Sequence, residues 1–238
     1  MYTDTGIYTL AQAERLIHVP AQKIRRWLYG HRYLAKSSGA SSHRFSAPLW
    51  TPQHSHDEYN INVIGFHDLL EIRFVSAFAH HGVPLPMIRK CLETAKELFG
   101  IDYPLSCGLF KRDDRTIFAH ALKESSEEDA LVDLKSRQFT FKDIISPSLY
   151  AGIEYEGQSA RKWFPRGKRQ HVVLDPARQF GAPILDETST PTDVLYASYL
   201  AEGATPEAIK QTSLAYEVPA KLVNYAIVFE EGLKRSLH

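Results

Sequence analysis

The chain has 238 residues, which at about 150 residues per domain makes one large domain or two modest ones. Hydrophobic residues are 44% and charged residues 24% of it, close to the globular average, which excludes a disordered, collagen-like or low-complexity chain. Its 28 Lys and Arg balance 28 Asp and Glu, so the total says nothing about a nucleic-acid partner and only the distribution of charge is informative.

That distribution is ordered. Up to Gln53 the cations Arg15, Lys23, Arg25, Arg26, Arg32, Lys36 and Arg44 face only Asp4 and Glu14. Residues 124–133 are acidic, 161–171 are basic without a carboxylate, and the remainder is acidic again. Cys91 and Cys107 are too few for a disulfide framework, which fits a reducing cytoplasm. The opening MYTDTGIYTL has no basic stretch followed by an apolar one, and no run reaches the roughly 18 apolar residues of a membrane span. A cytoplasmic protein with no membrane role is expected.

Thr9 and Gln12 have the spacing of a capping box, which starts a helix near Leu10 with Leu10, Ala13, Leu16 and Ile17 on one face. Pro20 suits the first turn of a second helix, in which Ile24, Trp27 and Leu28 turn inward and Gly30 ends the run. Gln22, Lys23, Arg25, Arg26 and Tyr29 are left for the outside. Arg and Gln reach base edges bidentately, while Lys and a Tyr hydroxyl reach phosphates. The alternative is a two-helix hairpin with a solvated basic face.

Residues 31–60 are rich in Ser, His, Gly and Pro and include SSGASSHRF. They read as a hairpin or a flexible loop, and Arg32, Lys36 and Arg44 would let it lie along a phosphate backbone. Two helices are expected next, at 66–80 with Phe66, Leu69, Leu70, Phe74, Ala77 and Phe78 on one face, and at 86–99 with Ile88, Cys91, Leu92, Ala95 and Phe99 inward. Gly82 and Gly100 are their stops.

The succession YTLAQAERLIHVPAQKIRRW, the insert, and FHDLLEIRFVSAFAHHGVPLPMIRKCLE resembles the MerR-type winged helix-turn-helix domain over about residues 7–99. Asp68 and the step Gly82 to Arg89 carry the match. The departure is the long insert around residues 48–60, and Arg44-Phe45 stands in for the aromatic-Arg pair of that family's wing. The resemblance implies DNA binding through the second helix and the wing.

Between residues 107 and 155 short alternating runs replace the helical period. CGLFKRDDRTIFAHAL has two arms around residues 111–115, and LVDLKSRQFTFKDII repeats the design around Ser136-Arg137-Gln138. This stretch reads as a β-rich connector for packing or dimerisation, and residues 152–170 as a linker anchored by Trp163 and Phe164.

The last segment begins with short strands at 172–174 and 183–185 around a turn at Asp175-Pro176. Thr192 is expected to cap a helix ending at Gly203, Thr205-Pro206 to open a second that buries Ile209, and Pro219 to open a third with Leu222, Val223, Ala226 and Phe229 inward. Asp175-Pro176, Gly181-Ala182-Pro183, Thr188, Pro191, Glu202-Gly203, Ile209 and Tyr216 resemble the pattern of the family called domain of unknown function 433. Ser189 stands where that family has an arginine. The family resembles antitoxins encoded with a PIN-like ribonuclease of the VapC type, and the two-module order resembles VapB-like antitoxins. The helical trio also has a helix-turn-helix shape.

The reading is an α+β, mainly helical chain. It comprises a winged helix-turn-helix domain at 1–100, a β-rich connector and linker at 101–170, and at 171–238 a small trihelical antitoxin domain with two short strands. The resemblance implies an antitoxin that binds operator double-stranded DNA, represses its operon, neutralises a PIN-like ribonuclease toxin and forms a homodimer, with no cofactor. Such a toxin holds a metal with carboxylates, so the basic stretch Arg161, Lys162, Arg166, Lys168 and Arg169 is the candidate inhibitory segment. A MerR-like transcription regulator without a toxin is the second reading. An enzyme with a metal at His54 and His56, near Asp57 and Glu58, is the third, although the spacing matches zinc sites poorly. The sequence contains no phosphate loop, nucleophile elbow or Cys-His pair, so neither a catalytic residue nor a metal ligand is assigned.

Overall fold

The structure is a computed structural model that describes residues 4–37, 40–54, 62–110 and 149–235. The first arm of the expected central β segment, at 107–110, is not a strand: residues 108–110 are helical. The rest of that segment, within 111–148, and His56, Asp57 and Glu58 lie outside the described residues.

Strand β1 (Tyr8–Thr9) leads into α1 (Leu10–Ile17). The capping box forms as expected, with the Gln12 amide donating to the Thr9 hydroxyl at 3.2 Å and the Thr9 amide to the Gln12 side chain at 2.8 Å. His18 closes the helix in the left-handed region (φ 56°), and α2 (Ala21–Tyr29) follows with Pro20 at its N-cap. Ile24, Trp27 and Leu28 are buried, as the period requires.

Next come β2 (His31–Ser37) and β3 (Ala40–Ser46), an antiparallel ribbon in register from His31↔Ser46 to Ser37↔Ala40. Of the two sequence alternatives for this segment, the hairpin is the one formed. Strand β4 (Val63–Ile64) then pairs with β1.

Helix α3 (Phe66–His80) is the centre of the core. The sequence suggests one apolar face, but Ile72, Val75, Asp68 and Glu71 are buried as well, so the helix is enclosed around most of its circumference. Helix α4 (Leu85–Phe99) starts one residue before its expected position, buries Cys91, and ends at the left-handed Gly100.

The segment 152–170 is not a linker. It folds into β5 (Ile153–Glu156) and β6 (Ser159–Trp163), which continue through β7 (Val172–Leu174) to β8 (Pro183–Leu185) in one antiparallel sheet, order β5-β6-β7-β8. Gly152 makes the entry turn at φ +76°, where a Cβ would sit 2.2 Å from the Phe164 carbonyl. Trp163 and Phe164 are buried anchors of a sheet rather than of a tether, and β6 pairs with β7 across residue 170.

Helices α5 (Thr192–Ala201), α6 (Pro206–Tyr216) and α7 (Ala220–Arg235) complete the described chain. Pro191, not Thr192, is the N-cap of α5, whose last residue is Ala201. The Thr192 side chain turns inward and donates to Glu230 at 2.6 Å. Thr205 caps α6 through the Ala208 amide, and Ala208 and Thr212 are its buried residues, with Ile209 only partly covered. Val223, Ala226 and Phe229 of α7 join residues from Tyr8 through Ile88 in one apolar cluster, so both ends of the chain share a core.

Candidate nucleic-acid interface

Helix α2 has one apolar and one donor-bearing side. With Ile24, Trp27 and Leu28 inward, Gln22, Lys23, Arg25 and Arg26 are exposed. No Asp or Glu lies between residues 15 and 56, so nothing in the helix or the ribbon neutralises these cations in sequence. Lys23 Nζ sits 4.9 Å from the centre of the Trp27 ring, which orients the ammonium without removing its charge. Tyr29 has a different role from the one its sequence position suggests. Its hydroxyl donates to the Val63 carbonyl at 3.2 Å and ties the end of α2 to β4; burial and nearby Asp68 hold the phenol above its ordinary pKa.

The ribbon leaves α2 through Gly30. At φ +73°, a Cβ there would meet the Ser46 carbonyl at 2.5 Å and the Phe45 ring at 2.6 Å, so only glycine lets the helix and ribbon meet this closely. Cross-strand partners share a face, which groups Arg32 with Phe45 and Tyr33 with Arg44. Arg32, Tyr33, His43, Arg44 and Phe45 are all exposed. Lys36 pairs in register with Ser41, but its side chain lies outside what the structure describes. The ribbon therefore extends from the C-terminus of α2 with cations on both faces.

Two buried or half-buried groups, neither singled out as functional by the sequence, hold the foot of the ribbon. Arg89 of α4 donates to the carbonyls of Pro48 at 2.5 Å and Ala47 at 2.8 Å. Asp68, fully buried in α3, accepts from the Trp50 indole at 2.8 Å, the Gln53 amide at 2.9 Å and the Gly65 amide at 3.0 Å. Burial pushes the Asp68 carboxyl up, against the pull of these donors. Both residues belong to the motifs that carry the MerR resemblance, but no local spacing reveals that they reach back to the segment after the ribbon.

The basic stretch after β5 is engaged by its own chain. Arg161 lies 3.7 Å from Glu156 and 3.9 Å from Asp4, and Lys162 lies 3.5 Å from Asp175 and 3.8 Å from Asp186. Lys168 pairs with Glu154. Arg166 donates to the Val228 carbonyl at 3.1 Å and lies over the Phe229 ring. Arg169 is exposed. His54 is buried, with Nε2 2.8 Å from the Gly6 carbonyl. Among the described residues no three His, Cys, Asp or Glu side chains are grouped to hold a metal ion, and no helix is long and apolar enough to cross a membrane.

Helices α1 and α2 with the turn between them form a helix-turn-helix, and residues 6–92 match a family model described as "Putative DNA-binding HTH domain". Over 215 residues the chain is 28% identical to "Putative antitoxin VapB45" of Mycobacterium tuberculosis, covering 87% of each protein. Its fold is similar, with a TM-score of 0.64 at 20% identity, to the X-ray crystal structure of Rv2018 from Mycobacterium tuberculosis, over 95% of this chain and 100% of that one.

Proposed function

We propose that this protein is a DNA-binding antitoxin that represses its own operon and neutralises a PIN-type ribonuclease. The reading rests on one observation above all: the exposed donors Gln22, Lys23, Arg25 and Arg26 of α2 stand beside a projecting basic ribbon, with no carboxylate in either element. In this reading α2 enters the major groove in the MerR manner and the ribbon acts as its wing on the phosphates. Strands β7 and β8 and the helices that follow them form the antitoxin module, of the type called domain of unknown function 433. The resemblance to a protein named as an antitoxin over most of both chains supports this assignment. A homodimer supplies two half-sites.

Within this reading the inhibitory cation is Arg169 rather than the whole basic stretch, because Arg161, Lys162, Arg166 and Lys168 already bind their own chain. Co-expression with the product of the neighbouring reading frame, followed by pull-down and a gel-shift on the upstream duplex, tests the proposal. A nuclease in the complex and a shifted duplex are expected. A shifted duplex with no protein partner leaves a MerR-like regulator.

A further inference from the structure

A cleft of about 270 Å3 separates the helix-turn-helix module from the C-terminal helices. Arg15 and Leu16 form one wall, and Phe180, Pro183, Asp193 and Glu230 the other. None of these residues belongs to the DNA-facing side of α2 or to the ribbon.

Phe180 stands at the rim with 70% of its surface exposed. Its backbone is left-handed (φ 53°), as is that of Gln179 (φ 46°), and non-glycine residues hold that conformation only where their surroundings impose it. Here the Ile7 amide donates to the Phe180 carbonyl at 2.9 Å, and the Tyr8 hydroxyl donates to the Gly181 carbonyl at 2.7 Å. The loop is fastened to β1, and the ring projects outward on a fixed backbone. A rigid exposed aromatic beside a pocket is what anchors a protein interface at little entropic cost.

Charge narrows the choice of occupant. Glu230 is answered by Arg15 at 3.4 Å and by nearby Lys234, whereas Asp193, exposed on the same cleft, has no ion-pair partner among the described residues. Asp193 is therefore the carboxylate left to attract a cation. We infer that the cleft is the docking site of a partner protein, which places a Lys or Arg side chain on Asp193 and packs an apolar residue on Phe180. This inference rests on the antitoxin reading and adds a docking contact to the one proposed at Arg169.

The test is calorimetric titration of the full chain with the purified product of the neighbouring reading frame, using Phe180→Glu and Phe180→Gly. Glycine removes the ring and relieves the left-handed backbone, so a lower affinity for that variant does not come from misfolding. Both variants should weaken binding by about thirtyfold, the scale of an interface hot spot, while the glycine variant melts no lower than the parent. Asp193→Asn should weaken binding and flatten its salt dependence. Wild-type binding that survives both Phe180 changes overturns the inference and leaves the antitoxin reading standing. A change in the free protein's oligomeric state with Phe180→Glu also overturns it, since the occupant is then a second copy. Failure of the wild-type chain to bind removes the antitoxin reading and this inference together.

Discussion

Arg89 donates from Nη2 to the carbonyl of Ala47, 42 positions earlier, at 2.8 Å, and so fastens the ribbon's foot to the fourth helix. A two-stranded ribbon on its own is marginal in water. Its direction is therefore set at its base, by this guanidinium, by Gly30 and by the loop bound to Asp68.

Replacing Arg89 with Ala leaves two carbonyls without their donor. Charge-assisted bonds at a half-exposed site suggest a loss of about 1–2 kcal/mol in stability. Arg89 donates to carbonyls rather than to phosphates, so affinity for the upstream duplex should fall while the salt dependence stays unchanged. Denaturant unfolding and gel shifts at several salt concentrations measure the two effects. A flatter salt dependence would make Arg89 a phosphate ligand.

Arg25 and Arg26 should behave in the opposite way. Both are exposed on α2, so changing both to Ala should leave stability within about 0.5 kcal/mol. If both bind phosphates, the slope of log K against log salt should shrink by roughly 2, near 0.9 for each phosphate no longer neutralised. Binding with an unchanged slope would transfer the electrostatic attraction to the ribbon or to the C-terminal helices.

Helix positions were legible because their signals are local. The capping box at Thr9, the inward triad Ile24, Trp27 and Leu28, and the stop at Gly100 need only neighbours within a few residues. The ribbon was legible as a hairpin or a loop, since Ser and His dominate strands that bury almost nothing. Residues 152–170 read as a linker because β5 and β6 are short and alternate poorly, and their partner strand β7 begins nine residues after β6 ends. The cations were legible as a charge block but not as ion pairs. Lys162 finds Asp175 and Asp186 only after β6, β7 and β8 assemble.

The joint between the two ends of the chain offers a comparison of magnitudes. Glu230 accepts from the Thr192 hydroxyl at 2.6 Å inside the core, and from Arg15 at 3.4 Å at its edge. The Arg15 side chain is 36% exposed, so Arg15→Ala should cost only about 0.5 kcal/mol. Thr192→Val keeps the shape but leaves a buried carboxylate oxygen without its donor, at a cost of roughly 1–3 kcal/mol. Denaturant midpoints for the two variants should fall in that order, and the reverse order would place the weight of the joint on the ion pair.

Glu71 gives the clearest dependence on pH. It is fully buried in α3, with one oxygen accepting from the Ser106 amide at 2.7 Å and the other without a hydrogen-bond partner among the described residues. Burial pushes its carboxyl up from 4.5 to about 8. Because the folded value lies above the unfolded one, the protonated group favours folding fully below about pH 4.5, and that advantage is lost as pH rises through about 8. At pH 7 the difference between the folded and unfolded values corresponds to a stability lower by roughly 3 kcal/mol. Glu71→Gln retains an acceptor for Ser106 and removes the titration, but it buries an amide whose donors need partners. The variant should therefore equal or trail the parent near pH 4.5 and gain on it steadily up to pH 8. Urea midpoints across that range measure the gain; parallel curves for the two proteins would mean that Glu71 is ionised in the folded chain.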